Sequence, residues 1–171
     1  MKRTLVAGIG NIFLGDDAFG CEVVSELLRR ELPHEVRVID FGIRGYDLAF
    51  AITEGYDTVI LVDAMPRGES PGTVYLVEPD LEEIERLAPT APDPHSLSPV
   101  SVLQLTKSLG VFTGKLLLVG CEPAALGDDE EMGLSRAVRA AVPQAAAMIE
   151  RLLRDLPNLT TTITDTGGVP A

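Results

Sequence analysis

Residues 3–9, 35–40, 58–63 and 115–120 of this chain are short runs of β-branched and leucine side chains, mostly apolar from end to end. A strand with one wet face alternates polar and apolar residues; a strand covered on both faces need not, so these runs predict a sheet buried between helices. The intervening segments carry helical spacing: Phe19, Val23, Val24, Leu27 and Leu28 form one apolar face, and Leu134, Val138, Val142, Ala145, Ile149, Leu152 and Leu156 another. A further helix is expected after Ser98-Pro99, an N-cap serine followed by proline at the first helical position, running through Val102, Leu105 and Leu109. Pro143 removes a backbone donor inside the last helical pattern and predicts a kink there. Strands that alternate with helices imply parallel pairing through right-handed crossovers. Residues 72–77 differ, since Thr73, Tyr75 and Val77 alternate with Val74 and Leu76 directly after Ser70-Pro71-Gly72, the pattern of an antiparallel edge strand reached by a turn. The expected fold class is α/β: a single domain with a twisted, mainly parallel sheet of about five strands, helices on both faces and one antiparallel edge strand.

At 171 residues the chain suits one compact core, placed at 1–157, with the threonine-rich stretch 158–171 expected to be a disordered tail. A formal net charge of −12 argues against nucleic acid and against anionic membrane surfaces, both of which require clustered lysine and arginine. The apolar run before Gly8 is too short for a secretory signal and no stretch is long enough to span a bilayer, so a cytoplasmic location is expected. Cys21 and Cys121, a hundred positions apart, fit neither a disulfide framework nor a zinc knuckle and are expected as small buried side chains.

The chemistry starts in Gly8-Ile9-Gly10-Asn11-Ile12-Phe13-Leu14-Gly15-Asp16-Asp17-Ala18-Phe19-Gly20, where the first strand hands over to the first helix. Glycines and a helix N-terminus at such a place ordinarily cradle an anion, but Asp16 and Asp17 would repel one and suit a cation. Ligands of open α/β sheets bind beyond the carboxyl ends of the strands, a rule that gathers Asp16 and Asp17 after the first strand, Asp40 after the second and Asp63 after the third on one rim. His95, in the proline-stiffened segment 91–99, is expected to join them; carboxylates with an imidazole make an oxygen and nitrogen set suited to a divalent transition metal with open positions. Each residue also has a structural explanation. An aspartate there complements the helix dipole, Asp40 beside Gly42 and Gly45 can cap its own turn, and His95 alone is compatible with a surface role. Asp63 is harder to explain that way, because a carboxylate ending Val59-Ile60-Leu61-Val62 is costly unless it meets a partner or solvent at a cleft.

Rival motifs fail on particular residues. Gly8-x-Gly10 followed by Asp40 imitates a dinucleotide site, yet Phe13 holds the third glycine position. A phosphoacceptor signalling module shares the acidic pair and Asp63, but its lysine after a late strand is missing from Val119-Gly120-Cys121-Glu122-Pro123. Asp40-Phe41-Gly42 spells a kinase tripeptide without a lysine-bearing strand or a catalytic loop.

Gly8-Ile9-Gly10-Asn11 running to Asp16-Asp17-Ala18-Phe19-Gly20, together with Asp40-x-Gly42-x-x-Gly45, Val62-Asp63-Ala64 and Pro94-His95, resembles the hydrogenase maturation proteases over most of the chain. The resemblance implies a single-domain α/β endopeptidase that trims the C-terminal extension of a nickel-iron hydrogenase large-subunit precursor once nickel is loaded. It implies that Asp17, Asp63 and His95 contact the metal, with nickel carried by the precursor and no tightly bound organic cofactor. Asp17, Asp63 and Asp40 are then the candidate catalytic carboxylates, and aspartic-type and metal-dependent hydrolysis both remain open. Where family members often carry threonine after the second motif's glycine, this chain has Ile43 and Arg44. The competing expectation is a non-catalytic α/β module that uses the same acidic rim to sense a metal or a partner.

Overall fold

The computed structural model describes residues 2–80, 82, 97–124 and 132–156. Strands β1 (Thr4–Ile9), β2 (Val36–Gly42), β3 (Thr58–Ala64), β4 (Val74–Val77) and β5 (Lys115–Cys121) form one sheet in the order β2-β1-β3-β5-β4. Every pairing is parallel except β4 with β5, so the edge strand expected from its alternation is present and antiparallel. Helices α1 (Phe19–Leu27), α2 (Gly45–Ile52), α3 (Pro99–Leu109) and α4 (Arg136–Asp155) cover it, and a short 3-10 turn, Asp16–Ala18, precedes α1.

The uninterrupted apolar runs are explained by the two faces of the sheet. Val6, Ile60, Val62, Leu117 and Val119 pack against Phe19, Val23 and Leu27 of α1 and Val138, Ala145 and Ile149 of α4. Their neighbours Leu5, Ala7, Val59, Leu61, Leu116 and Leu118 turn the other way, onto Leu48 and Ile52 of α2 and Val102 and Leu103 of α3. Each large aliphatic side chain buried this way stabilises the fold by about 1.5–3 kcal/mol. Among the described residues no helix is long and apolar enough to cross a membrane.

Local signals behave as their chemistry requires. Ser98 caps α3 by accepting the Ser101 backbone N–H, Ser101 returns a bond to the Ser98 N–H, and Pro99 occupies the first helical position. Helix α4 is assigned without a break through Pro143.

Two differences from the sequence expectation bear on the rim. Strand β2 does not stop at Asp40 but continues through Phe41 to Gly42, with a register shift that pairs Gly8 with Asp40 and Ile9 with Gly42. The Gly10 N–H then donates to the Gly42 carbonyl at 3.0 Å, so β1 and β2 stay joined past the irregularity. Helix α2, which follows at once, lies where a glycine turn was expected. Its segment Leu48-Ala49-Phe50-Ala51-Ile52 is apolar on all sides and shows no helical period. The tail 158–171, the acidic cluster 128–131 and His95 lie outside the described residues.

Candidate active site

Because β1, β2, β3 and β5 run parallel, their carboxyl ends share one edge, and the antiparallel β4 begins there, with Val74 opposite Cys121. The N-terminus of α1 is seated on this edge by close backbone approach. A side chain at Gly20 would overlap the carbonyl oxygens of Ile9 and Val62, and Gly10, at φ 145°, has its missing Cβ position filled by the Asp17 carbonyl. In this loop the glycines serve helix-to-strand contact, and the charged side chains it carries are carboxylates.

Asp17 is half-buried in the 3-10 turn, and its carboxylate accepts the Asn11 backbone N–H at 2.9 Å. Burial raises its proton affinity and the Asn11 bond partly offsets that. Asp63, the penultimate residue of β3, is 4% exposed. Its pKa stands well above the ordinary carboxylate range, first through burial and then through the negative charge of Asp17, opposed by the Ala64 N–H. Two carboxyl groups in mutual electrostatic reach, the deeper one holding its proton more tightly, are thus brought to the mouth between β1 and β3.

Asp40 is exposed on β2. Its Oδ1 accepts the Gly42 N–H at 2.9 Å and its carbonyl accepts Arg44 Nη2 at 2.7 Å, so it does cap its own turn. It also approaches the rim from the α1 side. The Cys21 thiol, buried on α1, is pushed far up by burial, then by a hydrogen bond and charge from Asp40, and then by the charges of Asp17 and Asp63. A thiol held protonated among three carboxylates is no nucleophile. Cys121 closes β5, fully buried, and is pushed up to about 12 by burial followed by the charges of Asp16 and Glu122. Both cysteines are free, as their spacing predicted.

Asp16, the other member of the acidic pair, points away from the mouth. It is 3% exposed, and its carboxylate accepts the Ala124 N–H at 2.8 Å, the Ser135 N–H at 2.6 Å and the Ser135 hydroxyl at 3.0 Å. The two aspartates therefore have separate environments despite being adjacent.

Tyr75 and Glu122 also flank the mouth and carry no recognisable motif. In the sheet register Asp63 lies opposite Gly120, and Gly120 opposite Tyr75. With no side chain at Gly120, the Tyr75 ring lies over it toward Asp63, its hydroxyl donating to the Met65 carbonyl at 2.9 Å. Burial pushes the Tyr75 phenol up to about 12, with Arg67 opposing and Glu122 and Asp63 adding to the shift. The Arg67 guanidinium stacks on the ring at 4.4 Å, and the Arg67 N–H donates to the buried Glu122 carboxylate at 2.6 Å. The strict alternation of β4 is a sequence signal for which face Tyr75 takes; nothing local announces its partners.

Asp17, Asp63 and Asp40 are placed as described; the fourth expected residue, His95, lies outside the described residues, and Leu97 nearby packs on Gly45 at the start of α2. Among the described residues no group of three or more histidine, cysteine, aspartate or glutamate side chains is arranged to hold a metal ion.

Comparison with known proteins adds an independent line. A family model described as hydrogenase maturation protease matches residues 21–152. The hydrogenase 2 maturation protease of Escherichia coli is 34% identical over 155 residues, covering 90% of this chain and 92% of that protein. The hydrogenase expression/formation protein HupD of Rhizobium leguminosarum is 33% identical, covering 89% of this chain and 74% of that one. Among solved structures, the hydrogenase maturating endopeptidase HybD from E. coli superposes with a TM-score of 0.74 at 33% identity, covering 90% of this chain and 93% of that one. A hydrogenase 2 maturation peptidase from a Thaumarchaeota archaeon gives 0.68 at 33% identity, covering 90% and 99%.

Proposed function

Since the chain belongs to the hydrogenase maturation protease family, we propose that it is the endopeptidase that removes the C-terminal extension of a nickel-iron hydrogenase large-subunit precursor, and that it acts on the nickel-loaded form. The observation that carries this is the pairing of Asp17 with Asp63 at the carboxyl edge of the sheet, one half-buried and one buried, with the charge of Asp17 raising the affinity of Asp63 for a cation. A proton is one such cation. Nickel, presented by the precursor as cargo, is another, and oxygen donors of this kind together with the imidazole of His95 suit it.

In this reading Asp17, Asp63 and His95 complete the coordination of nickel already held by the precursor, so metal content gates docking of the scissile peptide. The carboxylates of Asp17 and Asp40 are then the candidates to accept a proton from the attacking water, and the raised proton affinity of Asp63 suits it to give one to the leaving amine. Cleavage then requires no nucleophilic side chain, in keeping with the thiol of Cys21 held protonated. Exposed Ile12 and Phe13 follow β1, exposed Ile43 follows β2 and exposed Tyr46 lies in the first turn of α2, and a polypeptide laid across the rim would cover them. A cytoplasmic site of action fits two free, buried cysteines.

The test is direct. Purified protein is incubated with nickel-loaded and nickel-free large-subunit precursor, and the products are weighed by mass spectrometry. Loss of a C-terminal peptide from the loaded form alone is the expected result. Loss from neither, with binding retained, would replace the protease by a module that senses a metal or a partner.

A further inference from the structure

Asp16 takes no part in the chemistry just proposed, yet it is one of the most firmly held side chains at the rim. Oδ1 accepts the Ser135 N–H at 2.6 Å, and Oδ2 accepts both the Ala124 N–H at 2.8 Å and the Ser135 hydroxyl at 3.0 Å. These partners lie 108 and 119 positions further along the chain. Ala124 follows β5, and Ser135 caps α4, where its hydroxyl also accepts the Val138 N–H at 3.4 Å. One buried carboxylate therefore pins the acidic turn to two elements of the C-terminal half. Buried charge survives only with such a set of donors, and charge-assisted bonds of this length are among the strongest that side chains make.

The next residue is Asp17, and it has little independent freedom. Its N–H donates to the Leu14 carbonyl at 3.1 Å, and its own carbonyl backs onto the bare face of Gly10. Its Oδ2 accepts the Asn11 N–H at 2.9 Å. These contacts close the turn on the strand side; on the other side the Ala18 N–H donates to the Gly15 carbonyl at 3.1 Å, and the side-chain anchor is Asp16. A carboxylate that must meet Asp63, and a metal between them, tolerates displacement of well under an ångström, because catalytic and coordination geometry both fall off steeply with distance.

We propose, resting on the protease reading above, that Asp16 is a positioning residue: its bonds to Ala124 and Ser135 set where the Asp17 carboxylate stands relative to Asp63. The acidic pair thus divides its work, the first aspartate holding and the second facing substrate. The start of α4 becomes part of the active-site support although it contributes no group to the chemistry.

The test uses Asp16→Asn, which turns one acceptor into a donor facing backbone N–H groups, and Ser135→Ala, which deletes the hydroxyl's bond to Asp16 together with its long cap bond from Val138 and leaves the carboxylate. Ser135→Thr restores the hydroxyl. Two readouts are taken on the full chain: exchange of the Asn11 amide, which reports directly on the Asp17 carboxylate, and the split between kcat and KM for nickel-loaded precursor. Expected are exchange at Asn11 about tenfold faster and kcat about tenfold lower in the first two variants, with KM within about twofold of wild type, and recovery of both in Ser135→Thr. If both variants remain folded by circular dichroism with Asn11 exchange and kcat unchanged, Asp16 is a structural tie only and the proposal is wrong. Should Asp16→Asn not fold, Ser135→Ala decides alone. If the wild-type protein cleaves no precursor, the protease reading has failed, and Asn11 exchange still decides whether Asp16 positions Asp17.

Discussion

At the residue scale, chemistry concentrates in side chains whose surroundings separate neighbours of the same type. Asp16 and Asp17 are consecutive, but one is consumed by three donors and the other is left at the mouth with a single backbone bond. Asp63 follows from the same logic: it is 4% exposed and faces the charge of Asp17, so the fold favours its protonated form. Replacing Asp63 by Asn should remove the proton-exchanging group and lower kcat at least about a hundredfold with the fold intact, as measured by precursor cleavage; full activity would remove Asp63 from the site. The linkage has a definite sign. A carboxyl whose folded pKa is raised adds stability that is fully present below its unfolded value of 3.8 and is lost as pH rises through the higher folded value. In metal-free protein, thermal melts should therefore show Asp63→Asn gaining on wild type as pH rises from acid toward neutral, and the two converging near pH 4. Asp17 contributes in the same direction. Both aspartates were legible as candidates in the chain itself: Asp63 because a carboxylate ending an apolar strand run is costly without a purpose, Asp17 because it belongs to an acidic pair in a glycine loop that ordinarily holds an anion. Asp16's partners were not, since nothing near residue 16 refers to residues 124 or 135.

At the scale of elements, the handover from β1 to α1 sets the site's precision. The bare face of Gly20 lets the helix rest on the carbonyls of Ile9 and Val62. Gly20→Ala should force that contact apart and destabilise the protein by about 1–3 kcal/mol in urea unfolding, with activity falling as well because Asp17 moves with the turn. By contrast, Ser98→Ala at the start of α3 should lose only the reciprocal cap, about 1 kcal/mol by the same measurement. These two devices differ in legibility. Ser98-Pro99 is a local signal and located α3 correctly, whereas α2 was missed because its near-uniform apolar segment has no period to detect. The end of β2 was misplaced for a related reason: whether a strand stops at Asp40 or bulges and continues to Gly42 depends on its partner, β1.

For the whole molecule, an acidic chain of net charge −12 leaves apolar side chains exposed just after β1 and β2. Phe13 and Tyr46 are each 62% exposed and, in the protease reading, are the side chains a polypeptide substrate would cover. The double change Phe13→Ser and Tyr46→Ser should raise KM for precursor about tenfold while leaving the melting temperature within a degree or so, as steady-state cleavage and calorimetry would show. Unchanged KM would move the docking surface elsewhere. The order of apolar runs determined, without coordinates, that this is a parallel α/β sheet covered on both faces with an antiparallel edge, because burial on two faces leaves its mark on every residue of a strand. The glycine and aspartate loop likewise marked the strand-to-helix handover at the carboxyl edge of the sheet. Only the tertiary structure decided that Asp16 is spent on Ala124 and Ser135, that Asp40 stays on a continuing strand, and that Tyr75 leans across Gly120 toward Asp63. Local sequence encodes period and capping through neighbours a few residues apart; contacts across a hundred residues exist only after packing has chosen which strands lie side by side.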